Sequence, residues 1–259
     1  MQKTLFISLA LLSSTAFAAP KSELWSYWQQ SDEQNPQMLS HELWQQVLSH
    51  NLSISGQNTL FDYKNISPQD RNTLTRYIQN QIAIDPRNYN QAEQFSYWVN
   101  LYNALTVELI LENYPVKSIT KLGSWFSFGP WDETITTING KALTLNDIEH
   151  RILRPIWQDV RIHYAVNCAS LGCPNLQPFA YTSENTQAML EHAASEFINS
   201  DKGVDVKADQ LQLSSIYDWY REDFGNEQQL LEHLSSYRPQ LKNFKGTIHY
   251  QYDWSLNQK

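Results

Sequence analysis

The sequence lacks the features that mark several common protein classes. It has no internal repeat, low-complexity tract or linker rich in glycine and serine, which indicates a single domain. Beyond Ala19 no apolar stretch is long enough and free enough of charge to span a membrane, so we expect no transmembrane anchor. A phosphate-binding glycine loop, a dinucleotide fingerprint and a Gly-x-Ser-x-Gly elbow are all missing, and we predict neither a cofactor nor a metal.

Positive charge is also scarce. The chain has 19 lysines and arginines against 27 aspartates and glutamates, which gives a formal net charge of -8 at pH 7. Phosphate backbones and anionic lipid surfaces repel a chain with this balance. We therefore expect no nucleic acid partner.

The first eighteen residues have the pattern of an export signal. A short start with Lys3 precedes the apolar run Leu5–Leu12, and Ala16-Phe17-Ala18 is the small-x-small pattern that signal peptidase cleaves. The apolar run is much shorter than the ~20 residues that a membrane-spanning helix needs. We predict a signal peptide over residues 1–18, one domain over residues 19–259, and a periplasmic or secreted location.

Helix and strand patterns alternate irregularly along the chain. Helical periodicity is found in residues 21–51, 67–85, 90–113, 146–157, 183–199, 216–224 and 227–237. Strand patterns form a hairpin around Asn139-Gly140, a strand over Arg161–Asn167, a second hairpin over Val204–Leu213 and a closing strand over Thr247–Trp254. Because the hairpins are antiparallel, we predict a helix-rich α+β fold with a small antiparallel sheet, and not a doubly wound sheet.

The densest set of reactive side chains lies between residues 146 and 174. The predicted helix carries Glu149 and His150 in its first turn. The predicted strand carries His163 and ends just before Cys168. If helix and strand pack antiparallel, His150 lies near Cys168. Five extended residues span up to ~16 Å, so His163 touches Cys168 only if the chain folds sharply back.

Cys168 is the candidate nucleophile of this set. A thiol becomes a good nucleophile when a nearby imidazole or a helix dipole stabilises its thiolate. Either His150 or His163 would shuttle the proton, and backbone amides of the turn after Cys168 would hold the oxyanion. Glu149 would orient an imidazole or cap its helix.

A second cysteine, Cys173, allows other roles for the two cysteine sulfurs. The chain has only these two cysteines, five positions apart, and in an oxidising compartment such a pair is first suspected of being a disulfide. A bridged Cys168 is not a resting nucleophile, although a strained bridge is redox-active. A zinc site from His163 and both cysteines is a further alternative, but the usual paired short spacings are missing.

Four segments resemble a known family. Phe95–Leu105 resembles its Phe-Trp-Ile-Asn-Leu-Tyr-Asn-Ala helix, and Leu145–Arg154 resembles its Ile-Glu-His segment. Arg161–Ser170 followed by Cys173-Pro174 is similar to its central signature, and Tyr252–Asn257 is similar to its terminal motif. By this resemblance the chain is identified as an exported bacterial member of the domain of unknown function 547 family. The resemblance implies, by analogy, a papain-like or transglutaminase-like fold and cysteine site.

Two functions follow as hypotheses. The first is a cysteine hydrolase or transferase that acts on amide or thioester bonds of a peptide-like substrate, with a site formed by Cys168, His150, His163 and Glu149. The second is a non-catalytic peptide- or glycan-binding domain with a structural Cys168–Cys173 disulfide. In either case the aromatic loop over residues 125–131 would stack on the ligand or pack as a lid.

Overall fold

A long buried helix forms the centre of the computed structural model, which describes residues 19–124 and 128–259. The predicted signal peptide and the middle of the aromatic loop lie outside the described residues. The helix, Gln91–Glu112, begins at Asn90, whose side chain accepts a hydrogen bond from the amide of Glu93. Every residue from Glu93 to Val107 is buried, so the core surrounds this helix on all sides.

Nine α-helices, one π-helical segment and seven short strands are found in the described residues. The helices are α1 (Glu42–Asn51), α2 (Pro68–Ile82), α3 (Gln91–Glu112), α4 (Arg154–Trp157), α5 (Ile162–Ala165), α6 (Thr186–Ile198), α7 (Ile216–Trp219), α8 (Arg221–Phe224) and α9 (Glu227–Tyr237). The strands are β1 (Leu52–Ser55), β2 (Asn58–Phe61), β3 (Thr136–Ile138), β4 (Lys141–Leu143), β5 (Val204–Lys207), β6 (Gln210–Ser214) and β7 (Thr247–Gln251). The π-helical segment, Asp147–Leu153, continues directly into α4.

The strands form three small sheets. β1 pairs with β2 and β3 with β4 in antiparallel hairpins. The third sheet has the order β5-β6-β7, with β5 antiparallel and β7 parallel to β6. The predicted helix-rich α+β fold is therefore confirmed. No helix in residues 19–124 and 128–259 is long and apolar enough to cross a bilayer.

Two apolar clusters meet at α5. Ile162 and Ala165 pack into the larger cluster around α3, whereas Tyr164 belongs to a second cluster formed by α6, α9 and the third sheet. α5 is thus held from both sides. The chain that leaves α5 leads directly to Cys168, at the junction of the two clusters.

The predicted strand over Arg161–Asn167 is wrong, because Ile162–Ala165 forms one turn of helix. The alternation of apolar and polar side chains suggested one buried and one exposed face. In the structure every residue from Ile162 to Asn167 is buried, including His163 and Asn167. Buried polar side chains with hydrogen-bond partners make such a pattern uninformative about secondary structure.

Several other helix and strand boundaries also differ from the sequence predictions. Residues 21–51 contain only a short 3₁₀ turn, Ser26–Trp28, and α1, and they are followed by the β1–β2 hairpin, which we did not predict. Its turn contains Gly56 with φ +59°, a conformation that glycine adopts without strain. The closing strand ends at Gln251, and α6 begins at Thr186, three residues after the predicted start of that helix at residue 183.

Candidate active site

A cavity of about 420 Å³ lies at the junction of the two apolar clusters. It is lined by Glu149, His150, His163 and Cys168, the four predicted site residues, and by Cys173. The turn of helix in α5 shortens the chain between His163 and Cys168, and this is how His163 reaches the same cavity. Ionic and imidazole side chains form one wall, and thiols and hydroxyls form another.

The first wall starts from the π-helical segment. The amide of Arg154 donates to the carbonyl of Glu149, five residues earlier, and this wide turn brings Glu149 and His150 to the cavity. The amides of Glu23 and Trp25 donate to the carbonyls of His150 and Arg151, at 3.0 and 2.9 Å. π-helical turns of this kind are frequent at functional sites.

Glu149 is the buried carboxylate of this wall. Its Oε2 accepts a hydrogen bond from the hydroxyl of Tyr102 at 3.2 Å, and its Oε1 lies 3.8 Å from Nδ1 of His163. Burial raises the pKa of Glu149, but its electrostatic interactions with His150, His163 and the Arg154 guanidinium outweigh burial and lower the pKa below its ordinary value. Glu149 is therefore ionised at neutral pH.

His163 connects Glu149 to a second carboxylate. Its Nε2 lies 2.7 Å from Oδ2 of Asp223, and its ring stacks on Tyr220 with centroids 4.0 Å apart. Its Nδ1 is buried and has no hydrogen-bond partner in the described part of the chain. His163 is thus held between two carboxylates, with Oδ2 of Asp223 within hydrogen-bond distance and Oε1 of Glu149 beyond it.

Arg154 fixes the state of His150. The guanidinium donates from Nη1 to Nδ1 of His150 at 3.0 Å and from Nε to Oδ2 of Asp223 at 2.6 Å. Burial lowers the pKa of His150 to about 4. His150 is therefore neutral at pH 7, and because its Nδ1 accepts a hydrogen bond, its proton is on Nε2. Such an imidazole is a hydrogen-bond donor at Nε2 and not a base there.

Asp223 supports this wall through its contacts with His163 and Arg154, and sequence reasoning missed it. Burial raises the pKa of Asp223, but hydrogen bonds from His163 and Arg154 outweigh burial and hold the pKa well below its ordinary value. Glu149, His150, Arg154, His163 and Asp223 form a connected set that we call the acid–imidazole cluster.

The opposite wall contains the two sulfurs. Sγ of Cys168 lies 3.0 Å from Sγ of Cys173, 3.0 Å from the hydroxyl of Tyr252 and 3.3 Å from Oγ of Ser170. Burial raises the pKa of the Cys168 thiol, but hydrogen bonds from these three groups outweigh it and lower the pKa below its ordinary value. We call Cys168, Ser170, Cys173 and Tyr252 the thiol cluster.

No histidine hydrogen-bonds to Cys168 among the described residues, and the predicted oxyanion amides are also occupied. The amides of Cys168 and Ala169 donate to Sγ of Cys173 and to Oδ1 of Asn167. Those of Leu171 and Gly172 donate to backbone carbonyls of Ser255 and Asp253, each at 2.8 Å. The prediction that this turn holds an oxyanion is therefore wrong for these four amides, which are used to hold the turn in place.

Two chain segments fix the position of the turn. Asn103 of α3 donates to the carbonyl of Ala165 at 2.9 Å and accepts from the amide of Asn167 at 2.8 Å. A Cβ at Gly172 would lie 2.7 Å from the backbone nitrogen of Asp253, so only glycine allows the C-terminal segment to approach this closely.

Residues 86–198 match a family model described as a protein of unknown function, DUF547. This segment of the chain is similar to the DUF547 family. No curated protein and no solved structure matches it. The matched DUF547 segment contains both cysteines and all four predicted site residues, whereas Asp223 and Tyr252 lie C-terminal to it.

Aromatic side chains cover the entrance of the DUF547 cavity. Trp254 packs against Trp219, Tyr252 and Trp131, with ring centroids 5.4, 4.5 and 5.7 Å apart, and Phe128 packs on Trp254 at 5.3 Å. All five residues line the cavity. The end of the predicted aromatic loop thus lies at the candidate site, although residues 125–127 are outside the described part.

The alternative of a zinc site finds no support in the arrangement of ligands. In residues 19–124 and 128–259 no three side chains of histidine, cysteine, aspartate or glutamate are placed to hold a metal ion. His163 is engaged by Asp223 and Cys168 by hydroxyls, on different walls.

Proposed function

We propose that this protein is a cysteine-dependent acyl transferase or hydrolase with Cys168 as the nucleophile. The observation that carries the proposal is the environment of the Cys168 sulfur, which faces the cavity within 3.3 Å of two hydroxyls. Hydrogen bonds to the charged form favour a thiolate. A thiolate that is stabilised in this way attacks an electrophilic carbon without a base beside it.

The surroundings of Cys168 in the thiol cluster suit thioester substrates better than amide substrates. An amide releases an amine, which must be protonated as it leaves and therefore needs an acid beside the sulfur. A thioester releases a thiolate, which needs no such acid. Since no imidazole hydrogen-bonds to Cys168 among the described residues, we propose a thioester, or a similarly activated acyl group, as the substrate.

In the proposed reaction, the sulfur of Cys168 forms a bond to the carbonyl carbon while the bond from that carbon to the leaving sulfur breaks. Water or an amine then attacks the carbonyl carbon of the acylated Cys168 and loses its proton to solvent. The bond from that carbon to Sγ of Cys168 breaks, the acyl product leaves, and Cys168 is a thiolate again. His150 donates from Nε2 to the oxygen that becomes negative, which is the role its neutral state allows.

Two further expectations belong to the proposal. The aromatic side chains at the entrance would bind the peptide-like part of the substrate, as indole and phenol rings do at many binding sites. The export pattern of residues 1–18 supports a periplasmic or secreted location. The alternative, a non-catalytic peptide- or glycan-binding domain, rests on the same aromatic side chains.

The test is acylation of the reduced mature protein by a panel of peptidyl thioesters, followed by peptide mapping with mass spectrometry. We expect an acyl group on Cys168 and release of the free thiol, and neither with Cys168→Ala. Tyr250→Phe serves as the matched control, because Tyr250 is on β7 near the site but outside the cavity lining. If Cys168→Ala binds the peptides as the wild type does and no substrate acylates the wild type, the binding alternative holds.

A further inference from the structure

The two cysteines differ sharply in their surroundings although they touch. Cys168 is partly exposed and faces the cavity, whereas Cys173 is buried. Their Sγ atoms are 3.0 Å apart, about 1 Å farther than in a disulfide bond. Each sulfur is thus already within reach of the other, and a small movement of either side chain would bond them.

Backbone hydrogen bonds fix the positions of the two cysteines. The amide of Cys168 donates to Sγ of Cys173 at 3.0 Å, and the hydrogen bonds of Leu171 and Gly172 to the C-terminal segment fix the turn between the cysteines. An amide that points at Sγ of Cys173 also stabilises negative charge there. The turn is therefore suited to both the thiol and the bridged form.

We propose that Cys168 and Cys173 are a thiol–disulfide exchange pair, in which Cys168 attacks a disulfide substrate and Cys173 resolves the product. This activity is distinct from acyl transfer and does not require it. The substrate class is a disulfide in a peptide or a small thiol compound, which the aromatic entrance and the cavity of about 420 Å³ accommodate.

The full reaction transfers two electrons from the cysteine pair to the substrate disulfide. The Cys168 thiolate bonds to one substrate sulfur, and the other substrate sulfur leaves as a thiolate. The Cys173 thiol loses its proton to solvent and bonds to Sγ of Cys168, which releases the first substrate sulfur as a second thiolate. The substrate disulfide gains two electrons, and the pair loses two as it becomes a disulfide. In the reverse direction the bridged pair oxidises a dithiol.

The asymmetry between the cysteines agrees with this order of events. Burial and the neighbouring Cys168 raise the pKa of the Cys173 thiol well above its ordinary value, whereas the pKa of Cys168 is lowered. Cys168 is therefore the attacking thiolate in the dithiol form. Cys173 becomes reactive after Cys168 has entered a mixed disulfide and no longer carries a charge beside it.

The test uses the reduced mature protein and oxidised glutathione as the probe, with thiols counted by mass spectrometry after rapid acid quenching. The wild type is expected to end with one Cys168–Cys173 disulfide and without a persistent glutathione adduct. Cys173→Ser is expected to stop at a mixed disulfide between Cys168 and glutathione that lasts roughly 100-fold longer than any adduct on the wild type.

Matched variants keep the outcome decisive. Tyr250→Phe leaves both thiols and changes a residue of β7 outside the cavity lining, and it is expected to complete the bridge. Near-ultraviolet circular dichroism of each variant checks that it is folded. A wild type that keeps two free thiols, or that accumulates the glutathione adduct, overturns the proposal. Thioester acylation of Cys173→Ser, which needs only Cys168, separates a failure of this pair from a failure of acyl transfer.

Discussion

The acid–imidazole cluster and the thiol cluster both reach the cavity, but they stabilise charge by different means. In the acid–imidazole cluster, carboxylates contact a guanidinium and imidazoles directly, as in the 2.6 Å pair of Arg154 and Asp223. In the thiol cluster the Cys168 sulfur contacts hydroxyls and a second sulfur. The carboxylates of the first cluster thus have partners within the protein before any ligand binds, whereas a thiolate in the second remains available to react.

Because of this difference, mutations in the two clusters should have different consequences. A buried ion pair is costly to break, because the partner that remains is an uncompensated charge. A hydroxyl that supports a thiolate contributes only the modest free energy of a hydrogen bond. Changes in the acid–imidazole cluster should therefore act mainly on stability, and changes in the thiol cluster mainly on reactivity.

The largest effect is expected from Arg154→Met. The side chain of Arg154 is 3% exposed, and its loss leaves Asp223 without its guanidinium partner and Nδ1 of His150 without its donor. We expect a loss of about 3–5 kcal/mol in the free energy of unfolding, measured with urea at pH 7. Arg151→Met is the matched control, because Arg151 is 40% exposed and pairs with Asp147 along the helix. Its expected cost is below ~1 kcal/mol. Equal losses for the two variants would contradict the proposed difference between the walls.

Acid should destabilise the protein through the same cluster. His150 has a pKa of about 4 in the folded protein and about 6.5 when unfolded, so between these values only the unfolded state takes up a proton there. The free energy of unfolding therefore falls as the pH falls through this window, by about 3 kcal/mol for the full shift. Asp223, whose pKa is lowered, adds a further loss as the pH falls below about 4.

Urea unfolding from pH 7 to pH 4 measures this loss. His150→Gln should be less stable at pH 7 but should lose the part of the slope that His150 contributes. His192→Gln, at an exposed position of α6, should keep the slope of the wild type. A slope that is unchanged in His150→Gln would show that His150 is not held neutral by burial.

Access to the thiol cluster should depend on what precedes Ala19. Ala19 and Pro20 line the cavity, and the carbonyl of Pro20 accepts a hydrogen bond from Arg154 at 2.8 Å. Any residue that precedes Ala19 is therefore attached at the cavity. A chain with a small globular domain fused before Ala19 should be alkylated at Cys168 roughly tenfold more slowly than one that begins at Ala19. The same domain fused after the exposed Lys259 should leave the alkylation rate unchanged.

Local signals in the sequence predicted much of the fold. Ser67 accepts from the amide of Asp70 at the start of α2, and Asn90 does the same for Glu93 at the start of α3. These caps are encoded within four residues, so they are visible without the tertiary structure. The Asn139-Gly140 turn between β3 and β4 is of the same kind.

The candidate site was only partly predictable, because its contacts join distant segments. The reactive residues between 146 and 174 do share one cavity. Asp223 and Tyr252, however, are 60 residues from His163 and 84 residues from Cys168. No spacing rule connects residues so far apart. The sequence did contain a signal for Tyr252, because this residue begins the segment that resembles the terminal motif of the family. Its role, however, depends on the fold.

The smallest effect, and the one most specific to the thiol cluster, is expected from Tyr252→Phe. The change removes one hydrogen bond to the Cys168 sulfur and keeps the ring that packs against Trp254. Because hydrogen bonds to the thiolate lower its pKa, the variant should raise the pKa of Cys168 and slow its alkylation by iodoacetamide at pH 7 by roughly 3- to 10-fold.

At a pH above the raised pKa, the alkylation rates of the variant and the wild type should converge, since both are then thiolates. Tyr250→Phe is the control, because Tyr250 is on β7 two residues earlier and is 37% exposed. A rate for Tyr252→Phe that stays low at every pH would mean that the hydroxyl acts on access and not on the thiolate. A rate equal to that of the wild type at pH 7 would mean that Ser170 and Cys173 alone support Cys168.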